Sequence, residues 1–458
     1  MMTYLKIFVM GLLCSSCSNS FLEDAPNSNI LTPQSVDDFQ RLLDNFNTIG
    51  ATSALPQLAS DEYFITSYED WQSCRTAVER NSYIWDEDVY GGEVEIRDWN
   101  DPYASIYYCN NIIHEINKKA NGHKIPLEFR DVYGQALFQQ ANVYYDLLKN
   151  YSVPFDRSTQ ETDLGIPLRL DPSIDYTLER ATVKECYDQI FEDIRRSLAN
   201  LRYKGPLPER NRATKIAAYA LLSRIYLYQR AYNESGKFAD SVLNLYDKLI
   251  DYNTIPTNSN RPFSMTNDEL ILFGRSRNYI NSNYTNRYKN VFVDTVLINL
   301  YEENDLRRSI YFIDNNNGFY TVAEGYNGSG LPPFNGFAVD EVYLNKAESL
   351  VRESELAKAQ DLLNKLLIKR YRTGSFIPIE FSSVQGALRI VLEERRKELV
   401  WRSLRWDDIK RLNKEGANIV LKRVLRGKEY VLEANSSRYT FNIPQDEINR
   451  SGIIQNQR

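Results

Sequence analysis

The sequence predicts a mainly α fold, built of irregular helix pairs that form a curved scaffold with long aromatic-rich loop insertions. Three observations predict it. Apolar residues recur at spacings of three and four in several long segments, the period that lines one face of a helix. Alanines recur along those faces. Two other stretches differ in composition: 50–98 carries aromatic residues among Gly, Ser, Asp and Glu, and 252–335 is rich in Asn, Tyr, Ser and Gly with few helical stripes.

At the N-terminus Lys6 precedes an apolar run, Ile7 to Leu13, too short to span a bilayer but suited to the core of a secretory signal. Cleavage needs small residues before the cut. Ser15-Ser16-Cys17 supplies them, whereas Cys14 follows the bulky Leu13. The run resembles a bacterial lipoprotein box with Cys14 where a Leu is usual, which predicts a signal peptide over 1–16 and lipidation of Cys17. The polar stretch 17–29 then reads as a tether. Thr32-Pro33-Gln34-Ser35 follows as a helix start, with Thr32 as cap and Pro33 at the first helical position.

A long helical pattern begins near Trp99. From Phe129 to Leu148 the apolar positions are Phe129, Val132, Tyr133, Ala136, Leu137, Ala141, Tyr144, Leu147 and Leu148, a single dry face. Similar stripes run from Val183 to Leu201, Ala213 to Tyr232, Val342 to Val351 and Leu356 to Leu367. A few polar residues join the last two, which brings two helices back to back. Ala136, Ala141, Ala217, Ala220, Ala347 and Ala359 fall where such pairs would cross, the device that tetratricopeptide-type helix pairs use for close approach. The fixed 34-residue period of those repeats is absent, so the expected scaffold is irregular.

Composition narrows the function. The chain has 458 residues, 43% of them hydrophobic, enough for a large core, and its net charge of −6 sets up no strong field toward nucleic acid. After cleavage only Cys74, Cys109 and Cys186 remain, an odd trio without disulfide or metal-ligand spacing. The two histidines, His114 and His123, read as packing and solvent positions. No P-loop, dinucleotide glycine pattern or HExxH occurs, so no cofactor, metal or catalytic residue is expected. The 32 tyrosines suit buried helix contacts and sugar stacking equally well.

Near the C-terminus Glu394, Glu398 and Arg402 step by four along a helical pattern with Arg395 on the adjoining row. Leu399, Trp401, Leu404 and Trp406 supply apolar contacts beside them. This pattern reads as an ion-pair lattice that locks the last helices to the scaffold rather than as a catalytic carboxylate pair, since partnered carboxylates make poor general acids.

Taken in order, four stretches resemble the SusD (RagB/SusD) family of surface nutrient-binding outer-membrane lipoproteins. They are "CSNSFLEDAPNSNILTPQSVDDFQRLL" from Cys17, then "GQALFQQANVYYDLLKNYSVPF" from Gly134 with Gly165-Ile166-Pro167-Leu168 after it. The third is "RATKIAAYALLSRIYLYQRAY" from Arg212. The fourth joins "DEVYLNKAESLV" at Asp340, "EERRKELVWRSLRWDDIKRL" at Glu393 and "YTFNIPQDEI" at Tyr439. Relatives usually have Glu-Gly where this chain has Arg402-Ser403, which puts the local helix geometry in doubt. The resemblance implies one SusD-like helical-repeat domain over 30–458, with insertions near 50–98 and 252–335. It also implies a non-enzymatic surface protein, held to the outer membrane by its lipid, that captures a glycan and hands it to a SusC-like TonB-dependent transporter. A peptide-binding member of the family, a helical protein-interaction scaffold and a surface hydrolase are the competing readings.

A sugar ring is bound by a flat side chain beneath it and by amide, carboxylate or guanidinium groups at its rim. Tyr68, Asp70, Trp71 and Arg75, with Glu69 between them, place both kinds within one turn of chain. The second insertion offers Arg275, Tyr279, Asn283, Tyr284, Tyr288, Tyr320 and Tyr326. Trp71 leads this set, while Trp85 and Trp99 are assigned to packing.

Overall fold

The computed structural model describes residues 33–458 apart from 46–47, 174–176, 258, 280, 282–290, 327 and 329–331. Cys17, the signal segment 1–16 and the tether 17–29 lie outside the described residues.

The first described helix, α1 (Val36–Asp44), starts later than its Pro33 suggested. Ser35 is the cap: its hydroxyl accepts from Asp38 N, and the Asp38 side chain accepts from the Ser35 backbone N–H. This reciprocal pair satisfies orphan donors of the first turn. The first insertion then contributes β1 (Tyr63–Ile65), α2 (Tyr68–Gln72) and α3 (Ala77–Tyr83). Five longer helices follow: α4 (Arg97–Ala120), α5 (Arg130–Tyr151), α6 (Val183–Asn200), α7 (Lys215–Tyr228) and α8 (Tyr232–Leu243). The stripe from Ala213 to Tyr232 is α7, which stops at Tyr228, and α8 begins only at Tyr232. Arg230 takes φ 63° between them and turns the chain back on itself.

The second insertion holds β2 (Val291–Val293) and the hairpin of β3 (Phe312–Asp314) and β4 (Tyr320–Val322). The C-terminal part adds α9 (Val339–Arg352), α10 (Leu356–Leu367), α11 (Val384–Glu398) and α12 (Arg405–Asn413). The hairpin of β5 (Leu421–Leu425) and β6 (Lys428–Leu432) and the helix α13 (Gln445–Ser451) complete it.

Side-by-side packing runs α4–α5, α5–α6, α7–α8, α8–α9 and α9–α10, with α11 also laid on α9. This is the predicted architecture of irregular helix pairs. All six alanines singled out in the sequence are buried. Gly236 shows why the crossing of α8 on α9 tolerates nothing larger, since a Cβ there would lie 2.9 Å from that of Ser349. Helix α5 is buried on nearly every side, which marks it as the centre of the scaffold.

The tyrosines are largely structural. Tyr63, Tyr83, Tyr144, Tyr151 and Tyr252 are among the largest fully buried side chains. Tyrosine hydroxyls donate to backbone carbonyls, locally from Tyr63 to Leu58 at 2.7 Å, and between distant segments from Tyr90 to Asn442 at 2.6 Å and from Tyr301 to Lys397 at 2.7 Å. Each such bond satisfies two polar groups that burial would otherwise leave costly.

The charged lattice exists, but with other partners. Helix α11 ends at Glu398, so Arg402 is not one turn further along it; Trp401 and Ser403 take φ of 60° and 58° in the turn beyond. Arg402 instead reaches Asp340 of α9 at 2.6 Å, and Arg395 pairs with Asp408 of α12 at 2.8 Å. Glu394 and Glu398 are held by Arg307 at 2.7 and 2.9 Å, and Glu398 also by Arg370 at 2.7 Å. Both arginines come from elsewhere in the chain and are fully buried.

The backbone of Ser403 lies in the left-handed region that favours glycine. Its buried hydroxyl has no hydrogen-bond partner. Ser403→Gly is therefore expected to raise stability by about 1 kcal/mol, read as a higher urea midpoint, because it relieves both strains. A lower midpoint would show that the turn depends on the serine.

Candidate functional site

The five-residue helix α2 projects the leading candidates. Ser67 caps it by accepting from Asp70 N at 3.0 Å, and the Asp70 carboxylate accepts from Ser67 Oγ at 2.6 Å and Thr66 Oγ1 at 2.5 Å. Asp70 is thus engaged in closing its own first turn. One helical turn brings Tyr68 and Trp71 together, with ring centroids 5.3 Å apart at 38°. Both are half-buried and rest on the same hydrophobic cluster. The indole N–H of Trp71 donates to the Arg80 carbonyl at 2.9 Å, which fixes the ring against the following turn.

Arg426 also stands over the Tyr68 ring, its guanidinium 4.6 Å from the ring centre and paired with Glu69 at 2.7 Å. Arg426 is delivered by the tight turn between β5 and β6, where it and Gly427 take φ of 53° and 76°. Gln72 donates to the Tyr68 hydroxyl at 3.1 Å. Glu69, Gln72 and Arg75 are exposed, and Arg75 has no side-chain partner among the described residues. The result is an open aromatic platform with amide, carboxylate and guanidinium groups around it.

The second insertion meets the first here. Strands β1 and β2 pair antiparallel, with Ile65 opposite Val291. Asn281 donates its backbone N–H to Glu79 at 3.0 Å and its amide to Cys74 Sγ at 3.0 Å. The described residues on both flanks of 282–290 are therefore anchored beside α2. Asn283, Tyr284 and Tyr288 themselves lie outside the described residues.

Other candidates are employed differently. Tyr279 donates to the buried Asp98 at 2.7 Å and packs on the main core, so its hydroxyl is spent on the scaffold. Tyr320, on β4, accepts from Arg308 at 3.1 Å and packs on the same cluster as Tyr68 and Trp71. Tyr326 is buried, with its hydroxyl on Glu269 at 2.5 Å and the Arg402 guanidinium 3.8 Å from its ring centre. Arg275 is part-buried, and burial lowers its pKa. Trp85 and Trp99 are buried, as expected for packing residues.

His114 and His123 are exposed. The thiols of Cys109 and Cys186 are buried, which pushes each up to about 12. No group of three or more His, Cys, Asp or Glu residues that could hold a metal ion occurs among the described residues.

Two family descriptions match the chain: one for starch-binding proteins associating with the outer membrane over residues 20–227, and one for the SusD family over 339–457. The chain belongs to the SusD-like family. Solved SusD-like structures share its fold. A SusD superfamily protein from Bacteroides thetaiotaomicron is 22% identical, with TM-score 0.73 over 93% of this chain and 100% of that one. A SusD superfamily protein from Bacteroides vulgatus is 21% identical, with TM-score 0.71 over 93% of this chain and 99% of that one. A putative sugar-binding protein from the same organism is also 21% identical, with TM-score 0.68 over 93% and 99%. No curated protein sequence matches the chain.

For this SusD-like chain, sequence reasoning found the platform's rings and missed Arg426. Arg426-Gly427 between two alternating strands carries the mark of a hairpin tip, but not where that tip lands.

Proposed function

We propose that the chain is a surface lipoprotein, acylated at Cys17, that binds glycan on the Tyr68–Trp71 platform without cleaving it. It then passes the glycan to a partner TonB-dependent transporter of the SusC type. The observation that carries this reading is the half-buried ring pair of α2, ringed by exposed Glu69, Gln72 and Arg75, with an arginine fixed against it. Such a surface offers stacking and rim hydrogen bonds but presents no activated acid, base or nucleophile. The family description naming starch binding and the outer membrane supports the ligand class and the location. No helix among the described residues is long and apolar enough to cross a membrane, and anchorage is assigned to the lipid with help from the transporter.

Titration calorimetry against starch and other neutral polysaccharides tests the platform. Trp71→Ala is expected to weaken binding at least about tenfold, and Trp71→Phe to keep most of the affinity, because the face is retained and only the N–H to Arg80 is lost. Equal affinity in wild type and Trp71→Ala would remove the site. Mass spectrometry of the mature N-terminus tests Cys17, where a diacylglyceryl adduct is the expected result.

A further inference from the structure

A second cleft opens between α4, the chain segment 167–171 and the C-terminal helix α13, with a volume of about 710 Å³. It shares no lining residue with the α2 platform. Its floor is the nearly buried Trp99, and one wall is the stripe of Tyr103 and Tyr107 on α4, four residues apart and so on one helix face. Trp99 and Tyr103 have ring centroids 4.9 Å apart. Tyr107 is 41% exposed.

The opposite wall is held rigid. Tyr103 donates to the Pro167 carbonyl at 2.9 Å, Asn110 to those of Arg169 and Asp171 at 2.8 and 3.2 Å, and Tyr144 also to that of Arg169. Asn110 is itself fixed by Gln140 at 2.5 Å. Alternate carbonyls of the segment are thereby turned toward the helices. At the mouth, Glu447 and Arg450 occupy one face of α13, and neither side chain has a partner among the described residues.

We infer that this cleft is a second binding site, for a neutral oligosaccharide. Its volume lies within the range of small-ligand pockets. A ring wall with amide and charged groups at its mouth suits a sugar's apolar face and hydroxyl rim. Two arginines, Arg169 and Arg450, stand against two carboxylates, Asp171 and Glu447, so neither an anionic nor a cationic ligand is favoured. An extended peptide would need free carbonyls along a chain edge, and those of 167, 169 and 171 are already taken.

The test is calorimetry of the full chain with a panel of maltohexaose, cellohexaose, xylohexaose and mannohexaose. A ligand of the cleft should lose at least about tenfold in affinity in Tyr107→Ala and in Glu447→Gln, and keep its affinity in Trp71→Ala. Tyr107 is exposed enough that its removal should leave the melting temperature within a few degrees, and Glu447→Gln keeps the side chain's shape. Loss only in Trp71→Ala would support the α2 platform and overturn the second site. Absence of any binding that depends on Tyr107, or Tyr107-dependent binding of short peptides in place of sugars, would overturn it equally.

Discussion

Arg307→Met is expected to lower folding stability by about 3–5 kcal/mol, the cost of removing one partner from a buried ion cluster. Arg307 is fully buried, and it pairs with Asp305 at 2.7 Å, Glu394 at 2.7 Å and Glu398 at 2.9 Å. Lys397 assists, at 3.0 Å from Asp305 and 2.9 Å from Glu394, and Arg370 joins Glu398 to Glu269. Four carboxylates are therefore shared among three cations. Burial, with the neighbouring Asp340 and Glu398 carboxylates adding to it and Arg370 opposing, pushes Glu269 up to about 7. Methionine fills the volume of the arginine stem but leaves three carboxylates short of a cation in a dry interior, where each unpaired charge is expensive. The loss should shrink at pH 4, where protonation relieves the repulsion. Urea melts at pH 7.5 and pH 4 measure both effects; a change under about 1 kcal/mol at pH 7.5 would sink the account.

Asp193→Asn is expected to stabilise the protein at pH 8 by about 2–3 kcal/mol and to change little at pH 4. Asp193 is fully buried on the inner face of α6. One oxygen accepts from Gln189 at 2.8 Å and the other has no partner. Burial pushes the carboxyl up to about 7, with Glu192 adding to the rise and Arg196 opposing it. The sign follows from proton binding. Between pH 4 and 7 the folded state holds a proton that the unfolded state has released, so stability is complete below pH 4 and is lost as pH rises through 7. Glu62, also raised to about 7 by burial, adds a decline over the same window. The difference between wild type and Asp193→Asn isolates one group from that background. A difference that does not vary with pH would mean that Asp193 is not the titrating residue.

These two residues show which parts of the molecule the sequence made legible. The stripe from Val183 to Leu201 located α6 to within a residue, because apolar spacing is a local signal. Asp193 on its buried face carried no such mark. Glu394 and Glu398 are legible as members of an ion lattice, but not with the cations that hold them. Spacing along one helix suggested Arg402, whereas α11 stops at Glu398 and Arg307 and Arg370 arrive from other segments. The α2 platform divides in the same way. Tyr68 and Trp71 are neighbours because three residues on a helix are neighbours, while Arg426 is a neighbour only because a hairpin far along the chain folds over them.

By itself the sequence determined the helical frame, the alanines at its crossings and the family to which the chain belongs. Helix periods, caps and small-residue contacts are short-range rules written into consecutive positions. Only the tertiary structure decided the charge partners, the engagement of Asp70 and Tyr279 in the frame, and the meeting of the two insertions beside α2. Those depend on long-range packing, in which residues hundreds of positions apart are brought within a few ångströms by burial of surfaces that no local pattern specifies.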